Sequence, residues 1–531
     1  MAQLKTRSFF EDHFFGMNLR MDSDKIPDGA SQLAVNVDLT GFKRLGQRKG
    51  TSLLGQAFEA KERIQSLQEI TNANGTSTQY MVKNGSVYKY NSKKWIVIHS
   101  GAFTGNINVP SVVYKQRLYM TSSENFLQYS DGADISDVGT GSDRIKGKSL
   151  AVGQRTLFIG NVSFNGVEYP DRVYYSRFDI DNRIEGDEFW ETSEGNLTDS
   201  TRFFRVEGGN VRAMASFANR DRVYIFSDTR CYAFNVSIAS TNPFAALQEI
   251  FPIGCAGPNA VKVVSGSMYW MDRKGKMYVW GGGTTRPEEI SYAIDSENTN
   301  NSIPASIDKA DSNLTDIAAF GISKQIYFSV GTINIANKQI KNACIKLFLS
   351  QNGFYSYNSV DTFPERPLVG EDMTIDSSDV LVLGNSSNVV YLSDSFNDID
   401  GNNQETAIDA FYRTKSYKFG FDLATKTISN IFIQYKPQPE DSYLNVKVSE
   451  DKGLVFRAIA SDNKEGQFGV VNMKQTESTD RQIIKRINMP NDVRFENISF
   501  EFSNKRKDQS FEINGFGSFD VKSEEPDISL S

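Results

Sequence analysis

Two glycine-containing stretches have residue types that could bind a phosphate group. They are GTGSDRIKGKS, residues 139–149, and the three glycines at the end of SGSMYWMDRKGKMYVWGGG, residues 265–283. A phosphate-binding P-loop has a glycine, four residues and then Gly-Lys-Ser/Thr at the start of a helix, so that backbone amides surround the phosphate. Five residues separate Gly141 from Gly147, and the following LAVGQRTLFIG is typical of strands. The first stretch is therefore predicted to be a basic surface loop.

The second stretch has the pattern of a β-hairpin. Apolar and aromatic residues alternate on both sides of the tip, Asp272 to Gly275, which has turn chemistry. A proline, Pro287, and a short polar run follow the glycines, without a helix signal. We interpret Gly281 and its neighbours as the point where the chain leaves a strand, and not as a nucleotide loop.

Metal and nucleophile chemistry has few candidate residues. The chain has two histidines, His13 and His99, and three cysteines, Cys231, Cys255 and Cys344, without metal-binding spacing. Zinc sites and histidine-based triads are therefore excluded, and the cysteines are expected to be buried free thiols of a protein assembled in a reducing cytosol. No cofactor and no metal ion is expected.

Residues 394–405 resemble a calcium loop in part. With Gly401 in the glycine position, Asp398 and Asp400 fit, but Phe396 and Ala407 occupy the first and last ligand positions. We therefore interpret this stretch as a polar turn between domains.

Pairs of carboxylates could catalyse glycoside hydrolysis. The candidates are Asp131 and Asp134 in SDGADISD, and Asp179 and Asp181 in RFDIDNR. Such catalysis needs two carboxyl groups about 5 to 10 Å apart across a glycosidic bond, which spacing along the chain does not establish. Acidic turn residues are the commoner explanation, and we predict that the protein is not an enzyme.

Charge and hydropathy limit the possible partners. The net charge is −7 and the pI about 5.3, so the chain as a whole is not expected to grip DNA. The basic run GFKRLGQRKG, with Lys43, Arg44, Arg48 and Lys49, is predicted to contact an acidic neighbouring subunit, although a solvated turn or a DNA contact is also compatible with it. Neither a signal peptide nor a membrane anchor is expected, because no apolar run is long enough.

A recurring pair of strands predicts the architecture. The pairs are TQYMV/SVYKY, RLYM/FLQYS, TLFIG/RVYYS, RVYIF/RCYAF, SMYWM/KMYVW, QIYFS/GFYSY and VLVLG/NVVYL, and many follow a further apolar strand. Their first strands recur at intervals of 39, 39, 66, 45, 58 and 54 residues, and propeller blades are about 40 to 50 residues long. An all-β chain with a β-propeller of about six to seven blades buries every apolar face, with unrelated β-sandwich hairpins as the alternative.

The flanking regions have a different character. Residues 1–50 have much turn chemistry and predict an extended N-terminal arm, before a propeller over residues 51–400. After the polar stretch SDSFNDIDGNNQETA, longer alternating strands predict a β-sandwich over residues 401–520. Residues 521–531 are predicted to be an acidic flexible tail.

Three stretches together resemble the β-propeller tail nozzle proteins of short-tailed bacteriophages, also called tail tubular protein B. The first is GMNLRMDSDKIPDGASQLAVNVDLT followed by GFKRLGQRKG, the second PDRVYYSRFDIDNRIEGDEFWE, and the third IGCAGPNAVKVVSGSMYWMDRKGKMYVWGGGTTRPEEIS. Their order and spacing over residues 9 to 300 carry the resemblance. The matched and predicted assembly residues are Gly16, Asn18, Pro27, Gly29, Asn36, Lys43, Arg44, Arg48, Trp190, Gly254, Trp270, Gly275 and Gly281.

The resemblance implies a structural virion protein that is assembled in the host cytoplasm. A ring, expected to be a hexamer, would lie below the portal and adaptor, retain packaged DNA and conduct it during ejection, without binding DNA specifically. A negative wall fits such a conduit, because a basic one would hold DNA by counterion release. Two alternatives remain open: a carbohydrate-binding or carbohydrate-cleaving propeller for host adhesion, and a head-completion or tail-tip protein of a long-tailed phage.

Overall fold

The protein is all-β, as predicted, and contains a β-propeller. The computed structural model describes residues 5–40, 44–72, 74–139, 144–153, 156–176, 203–217, 222–235, 247–283, 285–296, 302–307, 316–335, 338–349, 355–419, 424–438, 442–453, 455–458, 470–473, 483–489 and 493–524. Within these ranges the helical elements are a 3-10 turn, Tyr292–Ile294, and one helical turn, α1 (Ile303–Ser306). No helix in them is long and apolar enough to cross a membrane.

The first described strands belong to sheets that later parts of the chain complete. They are β1 (Lys5–Glu11), β2 (Ser31–Val35), β3 (Val37–Thr40), β4 (Arg44–Gln47) and β5 (Thr51–Leu53).

Five consecutive four-stranded antiparallel sheets follow, and each is a propeller blade. Their strands are β6 (Ile64–Thr71), β7 (Ser77–Lys83), β8 (Ser86–Asn91) and β9 (Lys94–His99); β10 (Ser111–Tyr114), β11 (Arg117–Met120), β12 (Gln128–Ser130) and β13 (Ile135–Asp137); β14 (Lys146–Gly153), β15 (Thr156–Phe164), β16 (Val167–Tyr175) and β17 (Phe203–Arg205); β18 (Ala213–Ser216), β19 (Arg222–Phe226), β20 (Cys231–Asn235) and β21 (Gln248–Phe251); β22 (Val261–Val264), β23 (Ser267–Met271), β24 (Met277–Trp280) and β25 (Glu288–Glu289).

Two further units complete the ring. The next strands are β26 (Ala318–Ile322), β27 (Gln325–Ile335), β28 (Lys338–Leu349) and β29 (Tyr355–Thr362), then β30 (Val369–Ile375), β31 (Ser378–Gly384) and β32 (Val389–Leu392). Strand β32 pairs with β5, so that β30, β31, β32 and β5 form a sixth separate four-stranded sheet, while β26–β29 form one end of a ten-stranded sheet. The innermost strands β6, β10, β14, β18, β22, β26 and β30 contact one another in that order, and β30 returns to β6.

The described blades therefore agree with the prediction of about six to seven. Six are separate sheets, and β26–β29 occupy the remaining place in the ring. One predicted hairpin is wrong, because β27 pairs with β28 and not with the stretch that ends at residue 357. The sequence pattern did not reveal the long β27–β28 hairpin, because polar residues in β28 interrupt its apolar pattern.

The remaining strands form a β-hairpin and most of a β-sandwich. They are β33 (Asn397–Ile399), β34 (Glu405–Ala407), β35 (Ala410–Thr414), β36 (Thr425–Ile428), β37 (Asn430–Tyr435), β38 (Tyr443–Ser449), β39 (Arg457–Ala458), β40 (Val470–Asn472), β41 (Ile483–Asn488), β42 (Arg494–Phe495), β43 (Ser499–Asn504) and β44 (Glu512–Glu524). An eight-stranded sheet is built on β44, and the ten-stranded sheet continues through β35, β43 and β38. The sheets face each other at the Phe516 ring, whose centroid is 5.6 Å from that of Phe500 and 5.0 Å from that of Phe502.

The sheets cross the domain boundaries predicted at residues 50 and 400. Strand β2 lies inside the ten-stranded sheet, parallel to β29 on the propeller side and antiparallel to β35 on the sandwich side. Strands β1 and β4 pair with β44. The described part of the predicted arm is therefore an integral part of both regions. Its strand β2 joins a propeller strand to a sandwich strand, and β1 and β4 add to the sheet built on β44.

A charge triad around the buried Glu501 connects three neighbouring strands of the sandwich. Arg413 on β35 and Lys447 on β38 lie opposite Glu501 on β43, and their nitrogens are 2.8 and 2.7 Å from its carboxylate. Burial alone would raise the pKa of Glu501, but the hydrogen bonds from Lys447 and Arg413 outweigh it and lower the pKa below its ordinary value.

We predict that Glu501→Gln destabilises the fold mainly near neutral pH. A depressed carboxyl pKa contributes stability above the unfolded-state pKa of about 4.3, and this stability is lost as the pH falls through the folded-state pKa. At pH 7, the free energy of unfolding of the variant should be roughly 3 kcal/mol lower than that of the wild type. In denaturant titrations this difference should become smaller toward pH 3. Glu450→Gln, at the more exposed pair with Arg457, is the matched control. A difference in unfolding free energy that does not depend on pH would contradict a stabilising role of the ionised Glu501 carboxylate.

Candidate functional site

Asn36 lies where β2 ends and β3 begins, and it connects distant segments. Its backbone has a φ of 54°, in the left-handed region that asparagine tolerates better than most residues. The side-chain amide donates to Thr362 Oγ1 at 2.7 Å and to the Asp409 carbonyl at 2.9 Å, while its oxygen accepts from the Thr362 amide and from Arg48 Nε. Asn36 thus joins the end of β29, the start of the sandwich and the basic run.

Arg48 is buried inside the chain, with 2 % of its side chain exposed. Its guanidinium donates to both carboxylate oxygens of Asp398, at 3.0 and 2.5 Å, and to the Thr362 carbonyl at 2.5 Å. The Phe363 ring lies 4.7 Å from the guanidinium carbon. Arg48 is therefore not available to a neighbouring subunit, contrary to the prediction, because a carboxylate 350 residues away in the same chain holds it.

The other described residues of the basic run also have partners within the chain. Arg44 forms an ion pair with Glu512 at 3.2 Å, and Lys49 Nζ lies 3.4 Å from Asp394. Lys43 lies outside the described residues. Arg44 and Lys49 remain partly exposed, so they are the members of the run that a partner could still contact.

A cavity of about 490 Å³ lies beside this network, between β26–β29 and the last blade. Lys346 Nζ contacts Asp38 and lies 3.0 Å from Asp361, and Lys346 and Asp361 are each 1 % exposed. Burial raises the pKa of Asp361, although Lys346 and Arg48 act in the opposite direction. These charges pair with one another, so the cavity is a structural junction.

The remaining N-terminal motif residues shape one turn. The Gly16 carbonyl accepts from the Ser31 amide, the Asn18 amide donates to the Ser31 carbonyl, and the Ala30 amide donates to the Pro27 carbonyl. Gly29 has a φ of 75°, and a Cβ there would lie 2.1 Å from the His13 carbonyl oxygen. The motif therefore specifies how the chain enters β2, with Gly29 as a sterically required glycine.

The motif residues of the predicted hairpin are also mostly structural. Trp270 is fully buried, and its ring centroid is 5.4 Å from that of Phe251. Gly275 has a φ of 87° at the β23–β24 tip, which packs against α1. Gly254 is buried, Gly281 is exposed with open space around it, and Trp190 lies outside the described residues. The β-hairpin interpretation of this stretch is confirmed.

The propeller axis contains a small polar cavity. Its volume is about 200 Å³, and the lining comes from all of the innermost strands. Lys262 Nζ on β22 lies 2.6 Å from the Glu371 carboxylate on β30, so an ion pair crosses part of this space. The cavity has room for a few water molecules and not for a polymer.

A wider pocket of about 500 Å³ opens at the end of the axis where the innermost strands begin. Charged and amide side chains from several blades line it: Arg63, Asn106, Asn108, Lys148, Asn161, Glu168, Asn210, Arg212 and Asp316. Arg63 Nη2 donates to Asn108 Oδ1 at 2.5 Å and lies 3.4 Å from Asp316. This axial pocket has the size and the convergent polar groups of a small-ligand site. Sequence reasoning missed it because its residues come from several separate blades.

The carboxylate pairs proposed from the sequence do not line the axial pocket. Asp131 and Asp134 are exposed in the turn between β12 and β13, and Asp134 lies 3.4 Å from His99. Asp179 and Asp181 lie outside the described residues. Within the described ranges, no group of three or more potential metal-ligating side chains occurs. The former calcium-loop candidate is the β33–β34 hairpin, and its Asp398 binds Arg48.

We predict that Arg48→Met costs roughly 3–5 kcal/mol of unfolding free energy, because it leaves the Asp398 carboxylate buried without a counter-charge. The double variant Arg48→Met/Asp398→Leu should recover a large part of this loss. Arg44→Met removes a partly exposed pair and should cost about 1 kcal/mol or less. Chemical denaturation monitored by tryptophan fluorescence measures all three. Equal losses for Arg48→Met and Arg44→Met would contradict the assignment.

No protein-family model and no curated protein sequence matches the chain significantly. Solved structures similar to it include the extracellular domain of a protein described as a hybrid two-component system from B. thetaiotaomicron, at 8 % identity and a TM-score of 0.38, over 66 % of this chain and 40 % of that one. Another is PorZ, a surface component of the type-IX secretion system of Porphyromonas gingivalis, at 10 % identity and a TM-score of 0.39, over 72 % and 44 %. The chain thus spans less than half of either structure.

Proposed function

We propose that the protein is a structural subunit of a bacteriophage tail nozzle, which forms a ring below the portal and adaptor, retains packaged DNA and conducts it during ejection. The observation that carries the proposal is the place of the N-terminal motif in the fold. Its residues bring β2 between β29 and β35, so that the propeller and the sandwich share one ten-stranded sheet. A subunit without a loose joint between its two regions suits a wall that must withstand the pressure of packaged DNA.

The propeller axis does not serve as the conduit in this proposal. A DNA duplex, whose major groove alone is about 12 Å wide, is far larger than the axial cavity of about 200 Å³. The channel must therefore lie between subunits, with each propeller as part of its wall. A ring of this kind closes through heterologous contacts, and the proposed number of copies is six. The net charge of −7 would let DNA slide past such a wall.

Particles that lack the subunit should lose their DNA. We expect a phage with a stop codon in this gene to package its genome and then release it, so that most particle DNA becomes accessible to nuclease. Electron microscopy of labelled particles should place the subunit between the portal and the host-facing end of a short tail. Normal DNA retention, or a position at the tip of a long tail, would contradict the proposal.

A carbohydrate-acting propeller is the second candidate, and the axial pocket is the observation that favours it. Glu168 and Asp316 line the pocket together with four asparagines, and such groups bind sugar hydroxyls. Among its described lining residues, however, none is aromatic, so a stacking platform for a sugar ring is not part of it.

Hydrolysis assays separate the two candidates. Under the nozzle proposal, the purified chain releases no reducing ends from capsular or lipopolysaccharide preparations of the host, and Glu168→Gln changes nothing. Release that is lost in Glu168→Gln and in Asp316→Asn, but kept in the turn variant Asp134→Asn, would favour the second candidate and count against the first.

A further inference from the structure

The axial pocket of about 500 Å³ has three cationic side chains in its lining and two carboxylates. The cations are Arg63, Lys148 and Arg212, and the carboxylates are Glu168 and Asp316. They come from the starts of several innermost strands and from β16, so the closed ring of blades is what brings them together.

The groups in contact with this lining add further positive charge. The Asp228 carboxylate accepts from Arg212 Nε at 2.6 Å and from Arg273 Nη1 at 3.1 Å, so two guanidinium groups share it. Arg366 Nη2 donates to the backbone carbonyl of Asp316 at 3.0 Å. Together with the lining residues, these groups amount to five cations and three carboxylates. An excess of positive charge therefore surrounds the pocket.

The Arg63 guanidinium lies between two side chains of the lining and is only partly neutralised. Its Nη2 donates to Asn108 Oδ1 at 2.5 Å and lies 3.4 Å from Asp316 Oδ1. The second distance is longer than that of a strong charge-assisted hydrogen bond, about 2.7 to 2.9 Å. Its Nε is buried and has no acceptor among the described residues. Arg63 thus has a fixed position at the pocket and an incomplete set of acceptors.

Lys148 and Arg212 lie on the two neighbouring blades. Lys148 on β14 is exposed, and neither a hydrogen bond nor an ion pair joins it to another described residue. No described acceptor is found for the Nη atoms of Arg212, which precedes β18. A bulge in β15 places the Asn161 amide 3.0 Å from the Val211 carbonyl, next to Arg212. This bond connects the two blades beside the pocket, and both cations keep donors for a ligand.

The other polar groups of the lining suit hydroxyl groups. The side-chain Nδ2 atoms of Asn106, Asn108 and Asn210 have no acceptor in the described part of the chain. Glu168 is exposed and forms no ion pair with a described residue. Donors outnumber acceptors in this pocket, and most of the charged donors are cationic, which favours an anionic ligand over a cationic one.

We propose that the axial pocket binds a small polyhydroxylated molecule that carries an oxyanion, either a carboxylate or a phosphate. Arg63, Lys148 and Arg212 bind the oxyanion, because guanidinium and ammonium groups form strong charge-assisted hydrogen bonds with its oxygens. Glu168, Asp316 and the free amides bind the hydroxyl groups. The volume lies in the range of small-molecule sites. The inference goes beyond the nozzle proposal and does not depend on it.

Three probes that differ only at one carbon atom of a sugar test the pocket. Glucose, glucuronate and glucose 6-phosphate are titrated into the purified chain and followed by isothermal calorimetry. Both anions should bind saturably and about tenfold or more tightly than glucose, because hydrogen bonds to charged groups contribute more than neutral ones. Tighter binding of glucuronate identifies a carboxylate as the preferred group, and tighter binding of glucose 6-phosphate identifies a phosphate.

Variants of the two cations with spare donors assign the site. Lys148→Met and Arg212→Met should each weaken binding of the preferred anion about tenfold. Lys94→Met on β9, another exposed lysine without an ion pair to a described residue, is the matched control and should keep the affinity. Thermal unfolding without a probe checks that each variant folds. Lys148→Met keeps the test valid if Arg212→Met does not fold, since Lys148 has no described partner to lose.

Equal affinity for glucose and the two anions would overturn the assignment. Anion binding that Lys148→Met leaves unchanged would do the same, and so would the absence of saturable binding for all three probes. None of these results bears on the nozzle proposal, which is judged by the retention of DNA in particles.

Discussion

The burial of the Arg48 guanidinium constrains how the two halves of the chain meet. A buried cation is tolerated when a counter-charge and hydrogen-bond acceptors surround it, and here Asp398, Asn36 and the Thr362 carbonyl supply them. Thr362 ends β29, Asp398 lies on β33 before the sandwich, and Asn36 belongs to the N-terminal segment. The segments must therefore adopt their relative positions together, because any one of them alone would leave a buried charge or a buried acceptor unpaired.

The same junction explains the topology of the strands. Strand β5 completes the last blade, and β2 completes the ten-stranded sheet, although both come from the first residues of the chain. The propeller ring and the sandwich thus each depend on pairings between residues more than 300 positions apart, such as Val35 with Val360. Long-range pairings of this kind carry a high loop-closure cost, which the large apolar core around Phe14, Tyr412 and Phe516 offsets.

The interior cavities and the periphery of the described structure differ in how their polar groups are paired. The axial cavity is small and crossed by an ion pair, and in the cavity beside Arg48 the buried Lys346 pairs with Asp38 and Asp361. The apolar residues Phe10, Ile484 and Phe519 on the outer face of the sandwich, by contrast, face solvent. Exposed apolar side chains that cluster at the periphery are the arrangement that the proposed repeating assembly would use.

Local patterns determined the strands of this protein, and distant contacts determined how they assemble. Alternating aromatics such as those of residues 267–280 predicted the blade hairpins, because a strand's two faces are set by neighbours along the chain. The propeller class followed from their recurrence. The sequence contains no sign that Arg48 binds Asp398, that β2 enters a sheet between β29 and β35, or that Glu168 and Asp316 line one pocket. Each of these contacts depends on which segments the closed ring brings together. The residues that form them are common types and lie far apart along the chain, so the local sequence around each one does not indicate its partner.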